Sequence, residues 1–100
     1  MKEIKWLAEQ IEEELEDAEK YAMKAAHFKD SDMDMSRVCA ELARQELKHS
    51  EMLHEQAVRL IKAHRAAKGD PPPAMLAVWD YQHEKMIKRT AKVKAMLSES

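Results

Sequence analysis

Lys29-Asp30-Ser31-Asp32 is the stretch that decides the fold, because four polar residues there separate two long runs of helical periodicity. Before it, Ile4, Leu7, Ile11, Ala18, Tyr21, Ala25 and Phe28 recur three and four apart, which predicts a helix over about 3–28. After it, Met35, Cys39, Leu42, Leu53, Leu60 and Ala63 form the stripe of a second helix over about 33–68, roughly 50 Å long at ~1.5 Å per residue. The stretch holds several residues able to cap that helix, and so short a link makes the two helices an antiparallel hairpin. Gly69 reads as the residue that ends the second helix. Asp70 then reads as the cap of a third helix over about 71–97, with proline in its first turn and Leu76, Trp79, Met86, Val93 and Leu97 as its stripe.

Composition narrows the class. The chain has 100 residues, which suits a single domain over 1–100, with one glycine and three prolines, and Pro71 to Pro73 are consecutive. A β-rich chain needs turn residues throughout its length, so the expectation is all-α. One cysteine, Cys39, forms no disulfide framework within a chain. No apolar run approaches the ~20 residues of a membrane span, and the chain opens on a charged amphipathic pattern with no signal peptide, so no membrane and a cytoplasmic location are expected. A net charge of −2 is too near balance to point to nucleic acid. Residues 1–55 hold fifteen acids and eight Lys+Arg, whereas residues 56–100 hold four acids and nine Lys+Arg. The first half therefore attracts cations, and the second suits an acidic partner or simply a solvated basic helix. With 36% charged and 5% aromatic residues, long thin helices have little interior of their own, which favours a homodimer or higher homo-oligomer.

Polar residues interrupt the stripes at informative places. In heptad rows, Ile4, Ile11, Ala18 and Ala25 align, and so do Leu7, Glu14, Tyr21 and Phe28, so Glu14 stands where a leucine is expected. In the second helix one row is Cys39, Glu46, Leu53 and Leu60, and the other is Met35, Leu42, His49, Gln56 and Ala63. A carboxylate or imidazole on an apolar seam is costly unless it has a partner. Glu14 precedes the loop by about as many residues as Glu46 follows it, so antiparallel packing sets them face to face. Glu46-x-x-His49 places two donors on one helix face. Carboxylate oxygen with imidazole nitrogen suits iron, manganese, cobalt or zinc. The bland alternative is a buried polar trio that fixes helix register.

Other candidates weigh less. Glu51-x-x-His54 repeats the spacing off the seam and reads as solvated surface. Glu13 and Glu16 flank Glu14 and are promoted by a small helix rotation, and His83 lies on the third stripe between Trp79 and Met86. These three are the subsidiary metal candidates, with His83 better suited to a hydrogen-bonded core position. The eight methionines read as pliable core filler.

These residues carry a family resemblance. Ferritin-like carboxylate proteins place one Glu on each of two helices and Glu-x-x-His on each of two more. This chain has one helix of each kind, half the set. Glu14 followed seven residues later by Tyr21 resembles the first-helix pattern of ferritins and rubrerythrins, and Ala43-Arg44-Gln45-Glu46-Leu47-Lys48-His49-Ser50-Glu51 resembles their second-helix motif. The likeness covers roughly residues 8–60 and is nearest to half-length ferritins, including the encapsulated type, whose dimers build a di-iron centre at the subunit interface. It implies a four-helix bundle formed on dimerisation and two iron ions held by Glu14, Glu46 and His49 of both chains, with Mn or Zn as other occupants. It also implies oxidation of Fe2+ by dioxygen, with Tyr21 beside the metals, and extra first-helix carboxylates such as Glu13 and Glu16 guiding ions inward. An encapsulin-type shell is a further partner the resemblance suggests, although Lys94 to Ser100 shows no recognisable cargo tail. A non-catalytic helical interaction module and a di-metal enzyme of other oxygen or peroxide chemistry remain the rival readings.

Overall fold

The structure, a computed structural model, describes residues 2–99. Three helices follow one another: α1 (Lys2–Phe28), α2 (Met33–Lys68) and α3 (Pro73–Ser98). The described residues contain no strand. The 36 residues of α2 set the long dimension of a rod measuring 56 × 18 × 17 Å.

The hairpin loop closes through its own side chains and backbone. The N–H groups of Ser31 and Asp32 donate to the Phe28 carbonyl at 3.2 and 2.9 Å, satisfying the end of α1. Asp32 is extended, and its Oδ1 accepts from the Met35 N–H at 3.1 Å, capping α2. Gly69 closes α2 at φ 81°, a conformation that favours glycine, with its N–H donating to the Arg65 carbonyl at 3.1 Å. Asp70 does not cap α3. It pairs with Arg65 at 3.1 Å instead, and α3 begins at Pro73, where the fixed φ and missing N–H suit a first turn.

The seam of α2 lies one residue, ~100° of helix rotation, from the rows the periodicity predicts. The buried rows are Ser36, Ala43, Ser50 and Ala57, and Ala40, Leu47 and Ile61 with His54 at the intervening position, and of the predicted rows only Cys39 is also buried among the described residues. Small side chains decide this. Ala18 and Ala22 of α1 share a buried cluster with Ala43 of α2, and Ala25 shares another with Cys39 and Ala40, while the bulkier Leu42, Leu53 and Leu60 are left half-buried on one flank. Met35, placed on the seam by the sequence pattern, is exposed, whereas Leu15 and Ala22 of α1 join the core. The two buried hydroxyls are satisfied: Ser36 Oγ donates to the Ala25 carbonyl at 2.6 Å across the hairpin, and Ser50 Oγ to the Leu47 carbonyl at 2.7 Å.

α3 runs parallel to α1 and packs chiefly along it, not over the open half of α2. Buried Trp79 and Val93 enter the shared core. Ion pairs stitch its basic face to the acids of α1: Lys85 to Glu12 at 3.6 Å, Arg89 to Glu19 at 3.0 Å and Lys92 to Glu19 at 2.7 Å. Lys29 Nζ donates to the Glu99 carbonyl at 2.9 Å, tying the end of α3 to the hairpin loop. The charge asymmetry between the two halves of the sequence is thus partly an internal α1–α3 attraction. The flank of the hairpin opposite α3 stays open, and it carries Glu14 and Tyr21 of α1 with Glu46, His49, Leu53 and Leu60 of α2.

Candidate metal centre

Glu14, Glu46 and His49 converge on that open flank. Each offers one ligand atom, and the three atoms lie within 4.8 Å of one another, the one such group of three among the described residues. His49 Nδ1 is 3.4 Å from Glu14 Oε2 and 3.9 Å from Glu46 Oε1. Donors bound at ~2.0–2.2 Å to one ion stand roughly 3–3.5 Å apart, so small side-chain rotations bring these three onto a single metal. The placement follows from the helices. Glu46 and His49 share a face at i and i+3, and the short loop fixes the register that brings Glu14 opposite them.

Because the seam is rotated, the group sits on the rim of the hairpin and not inside it. The side chains of Glu14 and Glu46 are 25% and 19% exposed, while that of His49 is 51% exposed. The cost of burying these charges within one chain is therefore smaller than the heptad rows imply. The group is an open half-shell, with protein on one side and solvent on the other.

The electrostatics suit a cation. Glu46 is pushed up from 4.5 to about 7, first by a hydrogen bond to Glu14 that only its protonated form donates, then by desolvation and by the Glu14 charge. His49 works in the opposite direction, and Asp17 adds to the rise. Two carboxylates forced to share a proton are held in the arrangement that a divalent ion satisfies better than a proton does.

The other sequence candidates fall elsewhere. Tyr21 lies two turns beyond Glu14 on the same side of α1, half-buried against the core. Glu13 and Glu16 are exposed and are not part of the group, and Glu16 lines the groove between α1 and α3 instead. Asp17, one turn from Glu14, is the additional acid whose charge reaches Glu46, and its i+3 spacing from Glu14 is the signal that identifies it. His83 is not near this group: its ring stacks on His54, 4.7 Å between centroids. His54 is itself half-buried, not the solvated surface residue that its position off the predicted stripe suggests. It occupies the row of Ala40, Leu47 and Ile61, and that row was the available signal.

Comparison with known protein families, characterised proteins and solved structures finds no match to this chain. Among the described residues no helix is long and apolar enough to cross a membrane.

Proposed function

We propose that Glu14, Glu46 and His49 form one half of a two-metal, ferroxidase-type centre, completed when a second copy of the chain packs against the open flank of the hairpin. The observation that carries this reading is the convergence of two carboxylates and an imidazole, one of the carboxyls proton-bearing near neutrality, on a face left without cover.

Charge and ligand number both call for a second copy. One chain offers two carboxylates and one imidazole, too few donors to enclose a pair of ions. Two chains related by a two-fold axis bring four carboxylates and two imidazoles, and four negative charges balance two divalent ions. The flank also offers apolar surface. Leu42 and Leu53 are half-buried one turn from Glu46 and His49, and Trp6, Leu7, Gln56 and Leu60 line an apolar groove of about 390 Å3 farther along the hairpin. Two hairpins joined there make a four-helix bundle of the ferritin-like kind.

Fe2+ is the substrate on this reading. Each of two ferrous ions loses one electron, and dioxygen takes the pair with two protons to give hydrogen peroxide. The chain's part is positional and electrostatic: Glu14 and Glu46 favour the ferric product by charge, and His49 adds a neutral donor that fixes the site at one level of the bundle. Tyr21 stands on the same side of α1 as an aromatic neighbour.

Oxygen consumption tests the proposal. On adding Fe2+ to the purified protein, uptake should exceed that of buffer alone and fall to the buffer rate in Glu46→Gln. Uptake equal to buffer in the parent protein, or uptake unchanged by the substitution, overturns the ferroxidase assignment.

A further inference from the structure

On the other side of the molecule three rings form a stack that the metal centre does not use. His54 of α2 meets two rings of α3: its centroid is 4.7 Å from that of His83 and 5.7 Å from that of Trp79, and those two are 6.1 Å apart, so each of the three rings touches the other two. The planes are nearly parallel, at 22° and 14°. His54 Nδ1 is buried and has no hydrogen-bond partner. Trp79 is one of the few buried side chains of α3. Face-to-face imidazoles direct their in-plane lone pairs side by side and do not converge on one point, so this pair does not make a chelating metal site.

We propose that the His54–His83–Trp79 stack is an acid-released clasp that fastens α3 to α2. The stack closes when His54 is neutral and opens when His54 takes up a proton. A neutral His54 with its proton on Nε2 leaves only an acceptor lone pair unmet at Nδ1. An imidazolium must carry a second N–H into that buried, partnerless position and bring a positive charge against His83. Attraction between the imidazolium and the Trp79 face works in the other direction, but it supplies no acceptor for the second N–H at the buried Nδ1. In keeping with this, burial and then His83 hold His54 below the ordinary histidine value, with Glu55 opposing them.

The neighbouring charges leave this clasp as the pH-sensitive link of α3 to α2. Glu55 is the acid that acts on His54 from α2, and His83 the base that acts on it from α3. Lys5, Glu9 and Glu12 of α1 line the cleft on one side of Trp79, and Lys62 and Arg65 of α2 with Asp80 of α3 line the cleft on the other. The ion pairs of α3 run to α1, and Glu19, held below the usual carboxylate value by Lys92 and Arg89, stays ionised throughout the histidine range. A folded His54 value below the unfolded one contributes stability above the ordinary histidine pKa, and that contribution is lost as pH falls through the folded value. Acid therefore frees α3 from α2 while its attachment to α1 persists.

The test uses the full chain with Trp6→Phe, so that fluorescence reports Trp79 alone. Between about pH 7.5 and pH 5, Trp79 emission should move to the red in one sigmoidal step. Backbone amides around Trp79 and His83 should exchange about tenfold faster at the acid end after correction for intrinsic rates. His54→Phe keeps a stacked ring without a titrating nitrogen and should remove both responses, and His83→Phe should move the midpoint toward the ordinary histidine value. Glu46, raised to about 7, also titrates in this window but is intact in His54→Phe, so a response that survives there belongs to it and overturns the clasp. Absence of any step in the Trp6→Phe parent overturns it as well.

Discussion

Substituting Glu46 by glutamine separates what this carboxyl does for folding from what it does for metal. In the metal-free protein Glu46 and Glu14 share a proton at acid pH and repel each other once both are ionised. Glutamine keeps the size and donates a permanent N–H to Glu14. A rise from 4.5 to about 7 corresponds to a ceiling of about 3 kcal/mol at ~1.4 kcal/mol per pH unit. Water reaches this rim and His49 partly offsets the repulsion, which reduces the expected effect to ~1 kcal/mol. The fold favours protonated Glu46, so its contribution is complete below the unfolded value and is lost as pH rises through the folded one. Relative to Glu46→Gln, which shares the His54 response, the parent protein in chelator should thus lose stability between about pH 4.5 and pH 7. At about pH 8 the variant should melt some 4–8 °C above the parent, and at about pH 4.5 the two should coincide. Thermal unfolding followed by circular dichroism reads this directly. A variant that melts at or below the parent at the higher pH would refute the repelling pair.

Three further outcomes follow from the packing. Ala43→Leu places a large side chain where α1 and α2 backbones approach at a fully buried alanine, and should cost about 1–3 kcal/mol in chemical unfolding. Glu19→Gln removes the acid shared by Arg89 and Lys92 and should cost ~1 kcal/mol at neutral pH. Because Glu19 sits below the usual carboxylate value, that difference should vanish as pH falls through the folded pKa, which a urea titration series in acid would detect. Leu53→Glu puts a charge on the open flank beside the ligands, and should lower self-association in sedimentation while leaving helical content unchanged, since Leu53 is outside the buried row of α2.

The helices were legible in the sequence because their ends carry local chemistry. Asp32, Gly69 and Pro73 act through nearby backbone groups, and α1 and α2 start and stop within a residue of where those signals place them. The meeting of Glu14 with Glu46 and His49 was legible too, since a four-residue loop leaves little freedom in register. The rotation of α2 was not. A search for large apolar residues selects Leu42, Leu53 and Leu60, but one buried row of α2 is Ser36, Ala43, Ser50 and Ala57, which carry almost no hydropathy signal. The same shift carried His49 outward and His54 inward. Which side α3 covers was equally hidden, because its apolar residues are spread around the helix and the choice rests on Glu12 and Glu19 meeting Lys85, Arg89 and Lys92 across some seventy residues of sequence. Asp70 deceived for a local reason: the nearby Arg65 claims its carboxylate before α3 can use it as a cap.

If one chain holds half of a two-ion site, metal uptake and pairing are linked. Native mass spectrometry during titration with Mn2+, a divalent ion that the same oxygen and nitrogen donors accept, reads both together. The expected species are bare monomers and dimers that carry two ions, with a dimer fraction that rises with metal and collapses in Glu14→Gln. Monomers that take up ions stoichiometrically without pairing, or dimers whose metal content is unchanged by Glu14→Gln, would contradict that linkage.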